Sequence, residues 1–380
     1  MAVTLRAVST AVPPTTLVQS EVRDVFAAQP GLNRLAQRIV ATSFNVSGIE
    51  TRYTVLDELS WDAHPEEPVF FDITSGELLM PGTKARNEVY AAEATKLYVE
   101  AGRAALAAAP GIEASDVTHV ITVSCTGFYA PGPDFMLVRD LGLGPAVQRY
   151  HLGFMGCYAA MPALRTAKQF CAADPNAVVL VVSVELCTLH LRSSNDPDTI
   201  VASSLFADGA AAGIVSSRPL GADERALDLD RFETRITPVG EGDMAWKIGD
   251  HGFEMVLSNA VPAIIDDHIT GALEPLLAHE PALGEALATD ASSDAIEHWA
   301  IHPGGRSILD KVESRLGLTE AQLVPARETL RDFGNMSSAT VLFVLKNILE
   351  SDAAGDGDRV VAMAFGPGLT VESALMTVRT

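Results

Sequence analysis

The chain has 380 residues, 48% hydrophobic and 20% charged, enough to bury a large core and a composition that argues against any long disordered tract. Its formal charge of −22 makes it a poor partner for nucleic acid or an anionic membrane and reads as a solubility surface. The four cysteines (Cys125, Cys157, Cys171 and Cys187) form no Cys-x-x-Cys and no zinc-type cluster, which points to free thiols in a reduced, cytoplasmic protein without a metal.

In chain order, the N-terminal segment MAVTLRAVSTAVPP lacks the basic region and long apolar core of a signal peptide. The first strong element is Val117–Cys125, whose β-branched and apolar residues predict a buried strand. Gly156-Cys157 follows, at the predicted start of the apolar helix CYAAMPALRTAKQFCAA, and then a second buried strand, Val178–Glu185. The longest apolar run, Ala177 to Cys187, is too short to span a bilayer and contains Ser183 and Glu185, so no membrane insertion is expected. A stretch of Ser, Arg, Pro, Gly and charges at Ser216–Asp230 marks a boundary between two halves, 1–220 and 221–380.

The second half repeats the first. Ile296–His302 predicts a buried strand, Gly334-Asn335 opens the apolar helix NMSSATVLFVLKNILES, and Arg359–Phe365 is again a strand. Cys125 and Cys157 are 32 residues apart, His302 and Asn335 are 33 apart, and both helices lack a polar face. Helices apolar on every side lie between layers, so the pattern predicts an α/β fold of duplicated halves in five layers, α-β-α-β-α, with mainly parallel sheets over two central helices.

Three residues stand at matching places in this repeat. Cys157, at a helix start, is placed for the helix dipole to stabilise a thiolate, the form that makes thioesters; the alternative is an inert core cysteine. His302 ends a strand ahead of Pro303-Gly304-Gly305, where the glycines admit close approach; it is a candidate acid, base or hydrogen-bond donor, or else a satisfied structural histidine. Asn335 is either a helix N-cap or an amide donor aimed at a developing oxyanion. In a duplicated fold the two helix starts meet near the pseudo-twofold axis. There a sulfur, an imidazole and a carboxamide suit thioester exchange and decarboxylative condensation, with no metal or electron-sink cofactor.

The motifs MGC (155–157), SLFADGAAA (204–212), IHPGG (301–305), GNMSSA (334–339) and FGPGLTVE (365–372) follow one another through both halves. In them the sequence resembles the chalcone synthase-like, type III polyketide synthase family. The resemblance implies a homodimeric thiolase-like fold, with the nucleophilic cysteine in the N-terminal half and the histidine and asparagine in the C-terminal half. It implies acyl-CoA starter and malonyl-CoA as substrates, and one site for loading, iterative extension and cyclisation. An alternative within acyltransferases is a single-step condensing enzyme of the 3-oxoacyl-ACP synthase III type.

Residue by residue, the resemblance implies Cys157, His302 and Asn335 as the catalytic set. Phe206 would orient malonyl and separate the coenzyme A tunnel from the cavity. Met255 stands where the family has a second gatekeeper phenylalanine, with Phe253 as the other register. Gly304, Gly305 and Ser337, in the shared motifs, join the substrate-binding set. Cys125, Cys187, His190 and Trp246 depart from the plant pattern and would reshape the cavity. Ala130 falls where the plant enzymes carry a methionine that crosses to the partner subunit. Gly366-Pro367-Gly368 would form a wall, and Arg52 would lie near the coenzyme A phosphates. Glu185, in an apolar strand, must be paired or protonated and reads as structural. These departures look more like bacterial alkylpyrone or alkylresorcinol synthases, which accept fatty acyl-CoA starters, than like a chalcone-forming enzyme.

Overall fold

The computed structural model describes residues 2–60, 63, 65–289 and 291–380. Its framework is a nine-stranded mixed ladder. In chain order the ladder strands are β1 (Thr4–Ala11), β2 (His119–Ser124), β3 (Gln148–Gly153), β4 (Val178–Leu186), β5 (Asp208–Ser216) and β6 (Ala226–Ile236). A separate hairpin of β7 (Met244–Gly249) and β8 (Gly252–Leu257) comes next, before ladder strands β9 (His298–Ile301), β10 (Arg359–Gly366) and β11 (Thr370–Arg379). Across the ladder the order is β9-β10-β11-β6-β1-β5-β4-β2-β3.

The order reads as two copies placed back to back. In one, β2 is parallel to β4, and β4 turns back antiparallel to β5. In the other, β9 is parallel to β10, and β10 turns back antiparallel to β11. The copies meet where β1 pairs with β6, at Thr4 opposite Asp228 and Leu5 opposite Leu227. The strands were expected to be mainly parallel. The ladder is mixed: β2 pairs parallel with β3 and β4, and β9 with β10, each connected through a helix, while β5 and β11 return antiparallel to β4 and β10, and β1 is antiparallel to both β5 and β6.

Two helices run through the centre, α2 (Ala160–Ala173) and α7 (Thr340–Leu349); α1 (Thr83–Ala107), α3 (Pro197–Leu205), α4 (Val261–Leu277), α5 (Arg306–Leu316) and α6 (Glu320–Phe333) complete the set used below. α2 packs on β2, β4 and β5 and also on β11, while α7 packs on β1 and β5 and also on β9 and β10. Each central helix therefore touches strands of both copies. The far face of the first copy carries α1, and the second carries α4 against β6 and β11. This is the layered α/β arrangement the apolar helices require.

The strand pattern shows why. In β4, Val179 and Val181 join the central core, while Val178, Leu180, Val182 and Val184 join the core under α1. A strand buried on both faces needs no polar alternation, and its β-branched run satisfies both layers. Val341 to Leu345 in α7 are buried on every side, each worth about 1.5–3 kcal/mol of burial. Among the described residues, no helix is long and apolar enough to cross a membrane.

Candidate active site

Both central helices begin later than the sequence suggested. α2 starts at Ala160, three residues past Cys157, which sits in the turn leading into it. α7 starts at Thr340, after a short 3-10 turn at Ser337–Ala339. Asn335 therefore caps no helix. It lies in an extended bridge opposite Phe206: its N–H donates to Leu205 O at 2.9 Å, and its carbonyl accepts from Ala207 N at 2.9 Å.

The residue before each is a glycine at positive φ, Gly156 at 79° and Gly334 at 70°. A Cβ on Gly156 would lie 2.3 Å from Pro367 Cδ, and one on Gly334 would lie 2.9 Å from Arg52 Cγ. Both positions thus need glycine for backbone and for space.

Cys157, His302 and Asn335 line one cavity. His302 follows β9, with its N–H donating to Met363 O at 2.8 Å, and its ring lies over Gly304. Both ring nitrogens are buried and have no hydrogen-bond partner among the described residues, so both are free for a ligand. The Asn335 amide is oriented unambiguously: the Ser337 N–H donates to Oδ1 at 2.8 Å, which leaves Nδ2 pointing the other way. Nδ2 reaches Gly304 O at 3.3 Å and keeps a second proton for the cavity. Ser337 holds this turn in the left-handed region, φ 46°, a cost that non-glycine residues bear where surrounding structure fixes them.

Burial dominates the electrostatics. It pushes the Cys157 thiol up to about 12, opposed by hydrogen bonds from Ser337 and Asn335. It pulls the His302 imidazole down to about 3. The helix dipole was expected to favour a thiolate; with Cys157 one turn ahead of α2 and buried, desolvation works the other way and favours the neutral thiol, as it favours the neutral imidazole at His302. Glu185 is also fully buried and shifted upward, first by desolvation. It accepts from Cys125 N and Thr126 Oγ1, both at 2.9 Å, and from Ser338, with no cation beside it among the described residues.

Phe206, Met255, Cys125, Trp246, Gly304, Ser337 and Pro367 line the same cavity. Cys187 and His190 instead line an adjoining chamber, which shares Phe206, Trp246 and Met255 as its wall with the first. Phe253 borders only the second chamber, stacked on His190 at 4.2 Å. His190 has no free polar edge. The Phe253 N–H donates to Nδ1 at 3.0 Å, so Nε2 carries the proton and donates to Thr126 O at 2.8 Å. Gly305 lines a third passage with Asn259, Ser307 and Lys311, and this passage shares Leu257, Gly304 and Ile308 with the Cys157 cavity.

Two expectations are corrected. Gly366 and Gly368 flank the wall residue Pro367 without bordering the cavity, since Gly366 backs onto the Tyr158 ring. Arg52 is not at a phosphate-binding surface. It is fully buried, and its Nη1 donates to Ser203 O at 2.8 Å and Phe206 O at 2.7 Å. Burial lowers it to about 10, with buried Asp208 opposing. Arg52 thus fixes the turn from α3 into the Phe206 bridge and packs on the glycine before Asn335.

Met244, Leu257, Ile308 and Phe365 also line the cavity and were missed. The available signal was the period-two pattern of the hairpin, in which Met244 pairs with Leu257 and Trp246 with Met255. Among the described residues, no group of three or more His, Cys, Asp and Glu is placed to hold a metal ion.

Family models for chalcone and stilbene synthases match the chain almost end to end, the N-terminal domain over residues 2–219 and the C-terminal domain over 228–379. The chain belongs to the chalcone and stilbene synthase family. Bisdemethoxycurcumin synthase of Oryza sativa subsp. japonica is 32% identical, covering 97% of this chain and 91% of that protein. PKS-I of the brown alga Ectocarpus siliculosus superposes with a TM-score of 0.87 at 25% identity, covering 99% of this chain and 98% of the other. The C-terminal type III polyketide synthase domain of a type I/III hybrid from Dictyostelium gives 0.85 at 28%, covering 99% of each chain. The fold is therefore the thiolase-like fold of the type III polyketide synthases, and this member is an acyltransferase of that class.

Proposed function

We propose that this type III polyketide synthase loads an acyl-CoA starter on Cys157, extends it by iterative decarboxylative condensation with malonyl-CoA, and releases a cyclised product. The supporting observation is the convergence of Cys157, His302 and Asn335 on one buried cavity walled by apolar side chains.

In loading, the Cys157 sulfur attacks the thioester carbonyl while neutral His302 takes the thiol proton. The tetrahedral oxyanion is met by the protonated His302 ring; its collapse expels coenzyme A thiolate, which recovers the proton from His302. In extension, malonyl-CoA loses CO2, and the electron pair becomes an enolate whose oxygen lies against the Asn335 amide and the His302 ring N–H. The enolate carbon attacks the acyl-Cys157 carbonyl, forming the new C–C bond and freeing the sulfur. The pantetheine arm fits the passage through Gly304 and Gly305, with Lys311 at its side. Phe206, Met255 and Trp246 shape the acyl side, and Cys125, Cys187 and His190 set its contour. We place the halves at 1–220 and 221–380 and assign the reaction to the cytoplasm as a homodimer with no cofactor beyond the coenzyme A substrates. The dimer reading is supported by the edge strand β3, exposed at Gln148 to His151, beside exposed Phe128, Phe135 and Tyr150.

The test is incubation with a panel of acyl-CoA starters and labelled malonyl-CoA, followed by product mass spectrometry. Several ketide units on a coenzyme A starter support the reading. A single extension that depends on acyl carrier protein contradicts it.

A further inference from the structure

The second chamber has a charge that the condensation chemistry above does not use. Its lining is mostly apolar, with Leu191, Ala202, Phe206, Trp246, Phe253 and Met255, yet Arg192 lies among them. In a chain with 49 acidic and 27 basic residues, Arg192 has neither an ion pair nor a hydrogen-bond partner among the described residues. The other polar lining groups are committed. Thr199 Oγ1 donates to Asp196 at 2.8 Å, Ser203 Oγ donates to Thr199 O at 2.8 Å, and both His190 nitrogens are occupied.

A second cation stands behind the first. Arg86 is buried under the same turn, donating to Leu189 O and to Leu191 O, and it too lacks a carboxylate partner among the described residues. Its Nη2 is buried with no partner among the described residues. The Arg192 charge reaches both Arg86 and His190, disfavouring a proton on either. Two guanidinium groups, Arg86 buried and Arg192 half-buried, without counter-ions among the described residues beside an apolar chamber leave a positive potential that an anion bound there would neutralise.

The chamber sits on the acyl side of the cavity. It shares Phe206, Trp246 and Met255 with the Cys157 cavity, whereas the Gly304–Gly305 passage leaves by Leu257 and Ile308. We propose that this chamber binds a carboxylate at the far end of the acyl chain held on Cys157, with Arg192 as its ligand. Resting on the acyl-thioester reading, this narrows the starter to a dicarboxylic acid monothioester and disfavours a plain fatty acyl chain, which would bury Arg192 without an anion. A charge-assisted pair of this kind gives roughly tenfold discrimination or more.

The experiment uses the full-length chain carrying Cys157→Ala, so that binding is read without turnover. Calorimetry compares succinyl, glutaryl and adipoyl monothioesters with neutral alkanoyl thioesters of equal length, each as the coenzyme A and the N-acetylcysteamine form. The expected result is tighter binding, roughly tenfold, of one carboxylated chain in both forms. Arg192→Met should abolish that preference while leaving the neutral chain unchanged or tighter, and Arg192→Lys should keep part of it. No preference at any length overturns the proposal. So does an equal loss for both chains in Arg192→Met, and so does an effect confined to coenzyme A forms, which would assign Arg192 to a phosphate. Intact-mass detection of acyl-Cys157 in the wild type tests the parent reading separately: Arg192-dependent binding without acylation sinks that reading alone.

Discussion

The two halves of this chain place side chains at matching positions and give them different chemistry. At the end of β2 stands Cys125, and at the end of β9 stands His302. In the turn before α2 stands Cys157, and before α7 stands Asn335. All four line one cavity. The first half contributes two sulfurs; the second contributes an imidazole and a carboxamide. The glycine ahead of each turn is the same device twice, but its neighbours differ, a Pro367 ring for Gly156 and an Arg52 side chain for Gly334. Duplication supplies the geometry. What differs is which half can attack a carbonyl and which can only stabilise the charge that results.

The largest break in this comparison is removal of His302, the one group that serves both steps. His302→Ala should lower starter loading and malonyl decarboxylation together, each by a hundredfold or more (~10²–10⁴ for a positioned acid–base group), in acylation and CO2-release assays. Loss of one step alone would show that the imidazole does not bridge the halves.

Next come the two glycines. Gly156→Ala drives a Cβ into the Pro367 ring at 2.3 Å, and that ring has no rotamer to escape to. Gly334→Ala meets Arg52 Cγ at 2.9 Å and Leu205 O at 3.1 Å. Both also force alanine to positive φ, which alone costs about 1–2 kcal/mol. Urea unfolding should show Gly156→Ala as the more destabilised, by about 2–4 kcal/mol in all, with Gly334→Ala about 1–3 kcal/mol. The reverse order would mean that the wall at Pro367 yields more easily than the Arg52 support.

Arg52→Met sharpens the comparison at the bridge between halves. It leaves the Ser203 and Phe206 carbonyls without their donor, about 1–3 kcal/mol per unsatisfied group. Because Phe206 is bridged to Asn335, decarboxylation should fall more than loading, by roughly tenfold for a loosened oxyanion donor. Equal loss of both activities would reduce Arg52 to packing.

The smallest effect is in pH dependence. His190 in the first half and His302 in the second are both held near 3 by burial, against about 6.5 when unfolded. The unfolded chain takes up the protons first, so this stability is complete above about pH 6.5 and drains away as pH falls toward 3. Each histidine should contribute about 2 kcal/mol of loss between pH 6.5 and 5. His190→Phe and His302→Phe should each flatten that slope in urea titrations at the two pH values, whatever their absolute stability. An unchanged slope would place the acid sensitivity elsewhere.

Much of this was legible in the sequence because the signals were local. The β-branched runs of β4 and β10 mark strands buried on both faces, and the apolar helices mark the central layer. Gly156-Cys157 and Gly334-Asn335 recur at nearly the same spacing, 32 and 33 residues, and their meeting follows from the repeat. The state of Cys157 was not legible, since desolvation is a property of everything packed around a group, and helix position alone suggested the opposite. Arg52 looked like a surface cation because a sequence does not print burial. Met244 and Leu257 carry no chemical signature beyond their alternation in a hairpin. The chamber holding Arg192 is assembled from a turn, a helix and that hairpin, which no single stretch of sequence announces.

The division of labour between the halves is tested most directly on one pair of variants under one set of conditions. Cys157→Ala and Asn335→Ala are each mixed with an acyl-CoA starter and labelled malonyl-CoA, reading the acyl adduct by intact mass and the labelled CO2 released. The account predicts no adduct on Cys157→Ala, and on Asn335→Ala a normal adduct with CO2 release down by about a hundred- to a thousandfold. Equal loss of adduct and CO2 in Asn335→Ala would contradict it.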